Sequence, residues 1–144
     1  MTRKILVPLD GTPLSEKVLP HAQALAEEEN AELVLLRVPV VPAKELFNRE
    51  PAMGANIIHD IELDTERYLE AELRTMEKGH VKVTTLMREG PVAQTIAEVA
   101  EEIHADKIAM STHGYSGVQR LVKGSVAEEV VHLTHIPVIL IHPN

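Results

Sequence analysis

Cysteine is absent from the 144-residue chain, which removes disulfides, thiolate nucleophiles and cysteine-based zinc sites together. Tryptophan is missing as well, and Phe47, Tyr68 and Tyr115 are the only aromatic residues. Three rings are too few for the stacking platforms that hold single-stranded nucleic acid. Cations are also scarce: 14 Lys and Arg stand against 22 Asp and Glu, a net charge of −8. That balance argues against a basic face for duplex DNA. No apolar run reaches the roughly 20 residues of a membrane span. Met1-Thr2-Arg3-Lys4 leads straight into a strand pattern, with no sign of a secretory leader, so a cytoplasmic protein is expected. Against these absences, hydrophobic residues make up 44% of the chain, enough for one compact domain with a real core.

The apolar runs set the order of elements. Ile5 to Leu9 reads as a buried strand, and the turn Asp10-Gly11-Thr12-Pro13 follows, with Thr12 as N-cap and Pro13 at the first helical position. The next helix places Leu14, Val18, Ala22 and Leu25 on one face and ends near Asn30, a residue that tolerates a left-handed cap. Pro20 inside that pattern predicts a kink or a short first turn. A second strand is predicted over 32–41, a loop over 42–56, and a helix over about 57–78 with Ile58, Ile61, Tyr68, Leu69, Leu73 and Met76 near one stripe. Val81 to Met87 is β-branched and strand-like. Gly90-Pro91 opens a helix lined by Val92, Ile96, Val99, Ala100 and Ile103, and Asp106 to Met110 is a short strand. Ser125-Val126-Ala127-Glu128 is a capping box that opens the last helix, and Ile136 to Ile141 is the last strand. The strands are apolar throughout rather than alternating, as strands covered on both faces are. This β-α alternation predicts an α/β domain, an open parallel five-stranded sheet with helices on both faces.

Ligands of such sheets bind beyond the carboxyl ends of the strands, where the strand order reverses. Two strands end in polar, glycine-bearing segments: the first in Asp10-Gly11-Thr12, the fourth in the stretch from Ser111 to Ser125. If both form one site, strands one and four are neighbours and the order is 3-2-1-4-5. The 111–125 stretch has the chemistry of a phosphate cradle: glycines admit close backbone approach, and Ser125 stands at a helix N-terminus that favours an anion. The competing reading is a turn followed by an ordinary cap, since the spacing matches neither a P-loop nor a dinucleotide fingerprint.

Gly114, nine intervening residues and then Gly124-Ser125 resembles the ATP-binding signature of the universal stress protein family. Met110 to Gly114, Gly124 to Glu128, Ile5 to Asp10 and Ile136-Pro137-Val138 are similar to the same family, so the likeness covers nearly the whole chain. The resemblance implies a Rossmann-like 3-2-1-4-5 sheet and an ATP site. In that site Pro8, Leu9 and Asp10 would contact adenine and ribose. Val38, on the second strand, would meet adenine through its backbone. Met110, Ser111 and the loop to Gly114 would meet ribose and phosphate, and Gly124, Ser125 and Val126 would hold phosphate. Ser111 stands where the signature usually has glycine. Tyr115 takes a place often basic, which leaves phosphate neutralisation to backbone dipoles, a metal ion, or Arg120 and Lys123. The resemblance further implies a homodimer formed through Ile136 to Ile141, stress-linked regulation by nucleotide occupancy, and Mg²⁺ or Mn²⁺ held through the phosphates rather than by the protein.

Other constellations read more plainly. Leu9-Asp10-Gly11-Thr12 lacks the second aspartate that phosphoaspartate chemistry needs, because Pro8 occupies that place. His132 and His135 are three apart on the expected last helix, without an evident third metal ligand. Glu27-Glu28-Glu29 reads as a solvated helix end. No G-x-S-x-G elbow exists, and no general base or arginine finger marks a fast ATPase. A non-nucleotide dimeric interaction or chaperone-like module is the alternative, and a slow nucleotide hydrolase a third.

Overall fold

The computed structural model describes residues 3–39, 48–77, 79–111 and 125–142. Five parallel strands form one sheet in the order β3-β2-β1-β4-β5, the order expected from the two loop-bearing strands. They are β1 (Arg3–Leu9), β2 (Ala31–Arg37), β3 (Val83–Met87), β4 (Lys107–Ser111) and β5 (Val138–Ile141). The helices are α1 (Pro13–Glu16), α2 (Val18–Glu29), α3 (Pro51–Met76), α4 (Val92–Glu102) and α5 (Ser125–Leu133).

Alternation along the central strands divides the core in two. Ile5, Val7 and Leu9 of β1 pack with Leu33 and Leu35 of β2 against α2 and against Leu69 and Met76 of α3. On the other face, Leu6, Val34, Leu36 and Ile108 meet Ile96 and Val99 of α4 and Val130 of α5. Apolar faces on both sides explain why these strands carry no polar alternation. The chain thus covers one face with α2 and α3 before β3, and the other with α4 and α5 after it. The reversal falls between β1 and β4, where a ligand crevice forms.

Local chemistry sets the helix ends. Pro20 lies in the first turn of α2, where its missing N–H matters least. The break at Lys17 sets off α1 as the short first turn that Pro20 predicts, since Pro20 has no amide for the Glu16 carbonyl. Asn30 closes α2 in the left-handed region at φ 56°. Within the predicted 42–56 loop, residues 51–56 are helical. Pro51 starts α3, a position proline favours, and the Gly54 amide bonds the Glu50 carbonyl at 2.9 Å. Residues 42–47 lie outside the described residues. β2 stops at Arg37, short of the predicted 41, because Pro39 has no amide to continue the ladder. Val38 therefore sits just past the strand, though fully packed. Residues 40 and 41 lie outside the described residues.

Two smaller expectations are corrected. His135 lies beyond the end of α5, so it does not share a helix face with His132. Glu29 is not solvated: its carboxylate pairs with Lys107 of β4, and only Glu27 and Glu28 are exposed.

α3 is longer than the sheet is deep. Its 26 residues run about 39 Å, whereas a seven-residue strand spans about 23 Å. α3 leaves the carboxyl edge of β2 and returns the chain to the amino end of β3. Of its buried residues, Thr65, Leu69 and Met76 lie in its second half and Gly54 in its first.

Candidate functional site

The turn after β1 is built by its own side chains. Asp10 accepts from the Thr12 amide at 2.8 Å and from the Thr12 hydroxyl at 2.5 Å, both on Oδ1. Thr12 in turn caps α1 by accepting from the Ser15 amide at 3.2 Å. Ser15 is buried; its hydroxyl donates to the Thr12 carbonyl at 3.0 Å and accepts from the Asp10 amide at 3.2 Å. Gly11 takes φ +88°, a conformation that other L-residues adopt only with strain. The turn is therefore held in one shape before any ligand arrives.

The neighbouring strand end is tied to it. β4 pairs with β1 through Ile5 opposite Lys107 and Leu6 opposite Ile108. Beyond that pairing, the Ser111 hydroxyl donates to the Ser15 carbonyl at 3.4 Å. Val38 and Met110 are buried in one cluster with Ala127 of α5. The structure thus brings Leu9, Asp10, Val38, Met110, Ser111 and the start of α5 to one end of the sheet. Pro8 lies in β1, and Val126 is a partly exposed residue in the first turn of α5. Ser125 is the first residue of α5. Gly114 and Gly124 lie outside the described residues, as do Tyr115, Arg120 and Lys123.

Arg37 and Tyr68, which no sequence motif singles out for the site, line a pocket with Gly11 of the Asp10 turn. Arg37, at the end of β2, donates from Nη1 to the Val38 carbonyl at 3.3 Å. Its guanidinium lies against Gly11, where an added Cβ would stand 3.4 Å from Nη2. Tyr68 of α3 donates to Glu16 Oε2 at 2.7 Å. Burial above all, and then the bond to the Glu16 carboxylate, pushes the phenol well above its ordinary value, while the Arg37 charge pulls the other way. Burial followed by the Glu16 charge also raises the Glu72 carboxyl. A pocket of about 340 Å³ opens here, lined by Gly11, Arg37, Pro39, Ile61, Asp64, Thr65 and Tyr68. The one signal in the sequence is the rarity of aromatic residues, which sets Tyr68 apart from the rest of its helix.

Among the described residues, no group of three His, Asp or Glu side chains is placed to hold a metal ion. None of the described helices is long and apolar enough to cross a membrane.

A crevice between adjacent β1 and β4 ends, flanked by a helix N-terminus, defines an open-sheet α/β domain of Rossmann-like architecture. The chain belongs to the universal stress protein family, whose model matches residues 1–142. Universal stress protein MJ0531 of Methanocaldococcus jannaschii is 35% identical over 141 residues, covering 96% of this chain and 81% of that protein. Among solved structures, protein MJ0577 superposes with a TM-score of 0.82 at 25% identity, covering 100% of this chain and 98% of the other. Two more distant structures share the fold and contain nucleotides. A universal stress protein in complex with cAMP gives a TM-score of 0.65 at 20% identity, covering 99% and 98%. One from Archaeoglobus fulgidus in complex with dAMP gives 0.62 at 16% identity, covering 97% of each chain.

Proposed function

We propose that this chain is an ATP-binding universal stress protein that acts as a nucleotide-dependent regulator of a stress response, and that it works as a homodimer. The observation that carries this reading is the junction of β1 and β4. It sets the preformed Asp10–Ser15 turn and Ser111 beside each other at the end of the sheet where α5 begins. Relatives that hold cAMP and dAMP support an adenine nucleotide as the ligand.

In this reading the base lies near the Val38 backbone, and the ribose near Leu9, Asp10 and Met110. The phosphates lie toward Gly114, Gly124 and the start of α5 at Ser125 and Val126. Amides of a helix N-terminus and of glycine turns supply donors to an anion without a basic side chain. Mg²⁺ or Mn²⁺ would be held mainly by the phosphates, as is usual for these hard cations. Asp10 contributes as a turn former, since its Oδ1 is engaged by Thr12. No residue of the described crevice has the makings of an activated general base, so ATP acts as a bound signal, turned over slowly at most. The dimer forms through β5, an edge strand flanked by exposed Val131 and Leu133 on α5.

Calorimetry with ATP and adenosine tests the nucleotide reading. Gly124→Val is expected to abolish ATP binding while the protein stays folded by circular dichroism. Ser125→Ala is expected to weaken ATP by roughly tenfold or more, as loss of one charge-assisted hydrogen bond of about 1.5–3 kcal/mol requires. Adenosine, which has no phosphates, should be much less affected by Ser125→Ala. Equal weakening of both ligands, or wild-type ATP affinity in folded Gly124→Val, would overturn the assignment.

A further inference from the structure

The pocket between the middle of α3, the end of β2 and Gly11 lies on the α3 side of the Asp10–Gly11 turn. Its two charged walls have opposite signs. Arg37 stands at the end of β2, and Asp64 is an exposed residue of α3. Arg37 is half-buried and makes no ion pair with any described residue. Its single described hydrogen bond uses Nη1 on the Val38 carbonyl, so most of the planar donor fork remains for a ligand. The lining between the charges is apolar: Pro39, Ile61 and the Tyr68 ring. Thr65 spends its hydroxyl proton on the Ile61 carbonyl at 2.8 Å, and Tyr68 spends its own on Glu16. Neither hydroxyl therefore competes with Arg37 as a donor.

We propose that this pocket is a second binding site for a free α-amino acid, its carboxylate on Arg37, its ammonium on Asp64 and its side chain on the apolar lining. Guanidinium matches a carboxylate with two parallel hydrogen bonds, a geometry lysine cannot copy. A phosphate dianion would suffer from the Asp64 carboxylate in the same lining, whereas a zwitterion meets charge of both signs there. The volume of about 340 Å³ is at the small end for ligand pockets and suits a molecule of this size. Arg37 also touches Gly11 and the Val38 carbonyl, so a carboxylate drawing on its guanidinium acts on the turn bordering the crevice. The pocket does not depend on the nucleotide reading, and either can fail without the other.

The test is a titration of the ¹⁵N-labelled full chain with L-leucine and with glycine, followed by NMR. Saturable shifts are expected at the Gly11 and Thr65 amides and at the Arg37 Nε–H. Leucinamide, which lacks the carboxylate, and 4-methylpentanoate, which lacks the ammonium, should each bind at least about tenfold more weakly than leucine. Arg37→Met keeps the aliphatic stem and should abolish leucine binding; Arg37→Lys should recover only part of it. Asp64→Asn alters an exposed position that the fold does not need. It should weaken leucine while leaving 4-methylpentanoate unchanged or tighter, which keeps the test decisive if Arg37→Met unfolds. The proposal is overturned if neither amino acid saturates by about 20 mM, or if leucine binds Asp64→Asn as it binds the wild type. ATP titrated alongside reports on the crevice separately.

Discussion

The Tyr68 hydroxyl and the Glu16 carboxylate meet at 2.7 Å although 52 residues separate them in the chain. This bond fastens α1, only four residues long, to the side of α3. A single helical turn has no stability of its own, so the fastening adds to the Asp10, Thr12 and Ser15 bonds that hold the turn after β1. Tyr68→Phe keeps the ring and deletes the donor. A loss of about 1 kcal/mol is expected, with faster hydrogen exchange at the α1 amides. An unchanged urea midpoint together with unchanged exchange would show that the bond contributes nothing.

Glu72 yields a pH prediction. Burial and the Glu16 charge raise its carboxyl above the ordinary value. A raised folded-state value means the folded protein prefers the neutral acid. The stability that preference contributes is present below the unfolded value and is lost as pH rises through the folded one. Glu72→Gln should therefore melt higher than the wild type at about pH 7, and the advantage should disappear in acid, where Glu72 is protonated. Thermal melts of both proteins from neutral to acid pH would expose a wrong sign.

Gly11 carries a steric prediction. At φ +88° its conformation resists any side chain, while a Cβ there would meet the Arg37 guanidinium only at ordinary contact distance. Gly11→Ala should therefore cost about 1–2 kcal/mol through the backbone alone and leave Arg37 on the Val38 carbonyl. Chemical denaturation gives the first quantity, and an unmoved Arg37 Nε–H shift checks the second. A neutral substitution would mean that the turn relaxes to negative φ at no cost.

The proposed dimer predicts the effect of a charge on β5. Leu140 is exposed on the edge strand, and a two-fold interface buries it twice. Full burial of a leucine gives about 1.5–3 kcal/mol, and with 44% of Leu140 still exposed each copy gains somewhat under half of that. Leu140→Lys should therefore raise the dimer dissociation constant on the order of tenfold or more. Lysine on a strand edge also opposes pairing. Sedimentation equilibrium decides it; a wild-type chain that is monomeric at every concentration removes the interface itself.

Periodicity and punctuation make the framework readable. The two polar strand ends put β1 beside β4, Thr12-Pro13 marks the start of α1, and Asn30 closes α2 where a left-handed cap is expected. Sequence and structure part where one residue type supports opposite meanings. Pro51 and Gly54 suggest a loop, yet a proline can begin a helix and a buried glycine can let a neighbour approach. Val38 resembles strand because it follows the apolar run Leu33 to Leu36 and precedes Val40 and Val41, but Pro39 ends the ladder. Of the site, the Asp10 turn, Val38, Met110 and Ser111 are legible because they follow apolar runs. Arg37, Ser15 and Tyr68 are not, because their partnership spans α1, β2 and α3 and no local pattern encodes it. Gly114 and Gly124 fall outside the described residues, and their roles stand on the proposed reading.

The central place of β1 bears on how the chain emerges from the ribosome. β1 pairs with β2 on one side and with β4 on the other, and the second partner is made about a hundred residues later. After β2 is complete, some 70 residues separate it from the end of β4, which at about 5–20 residues per second takes on the order of 4–15 s. For that interval a nascent β2–β1 pair carries an open edge of unpaired backbone N–H and C=O groups along Ile5, Leu6 and Val7, with apolar side chains on both faces. This is the moment when another nascent chain could pair with the wrong strand, so a factor that shields emerging strands should matter more here than for a domain that begins at the rim of its sheet.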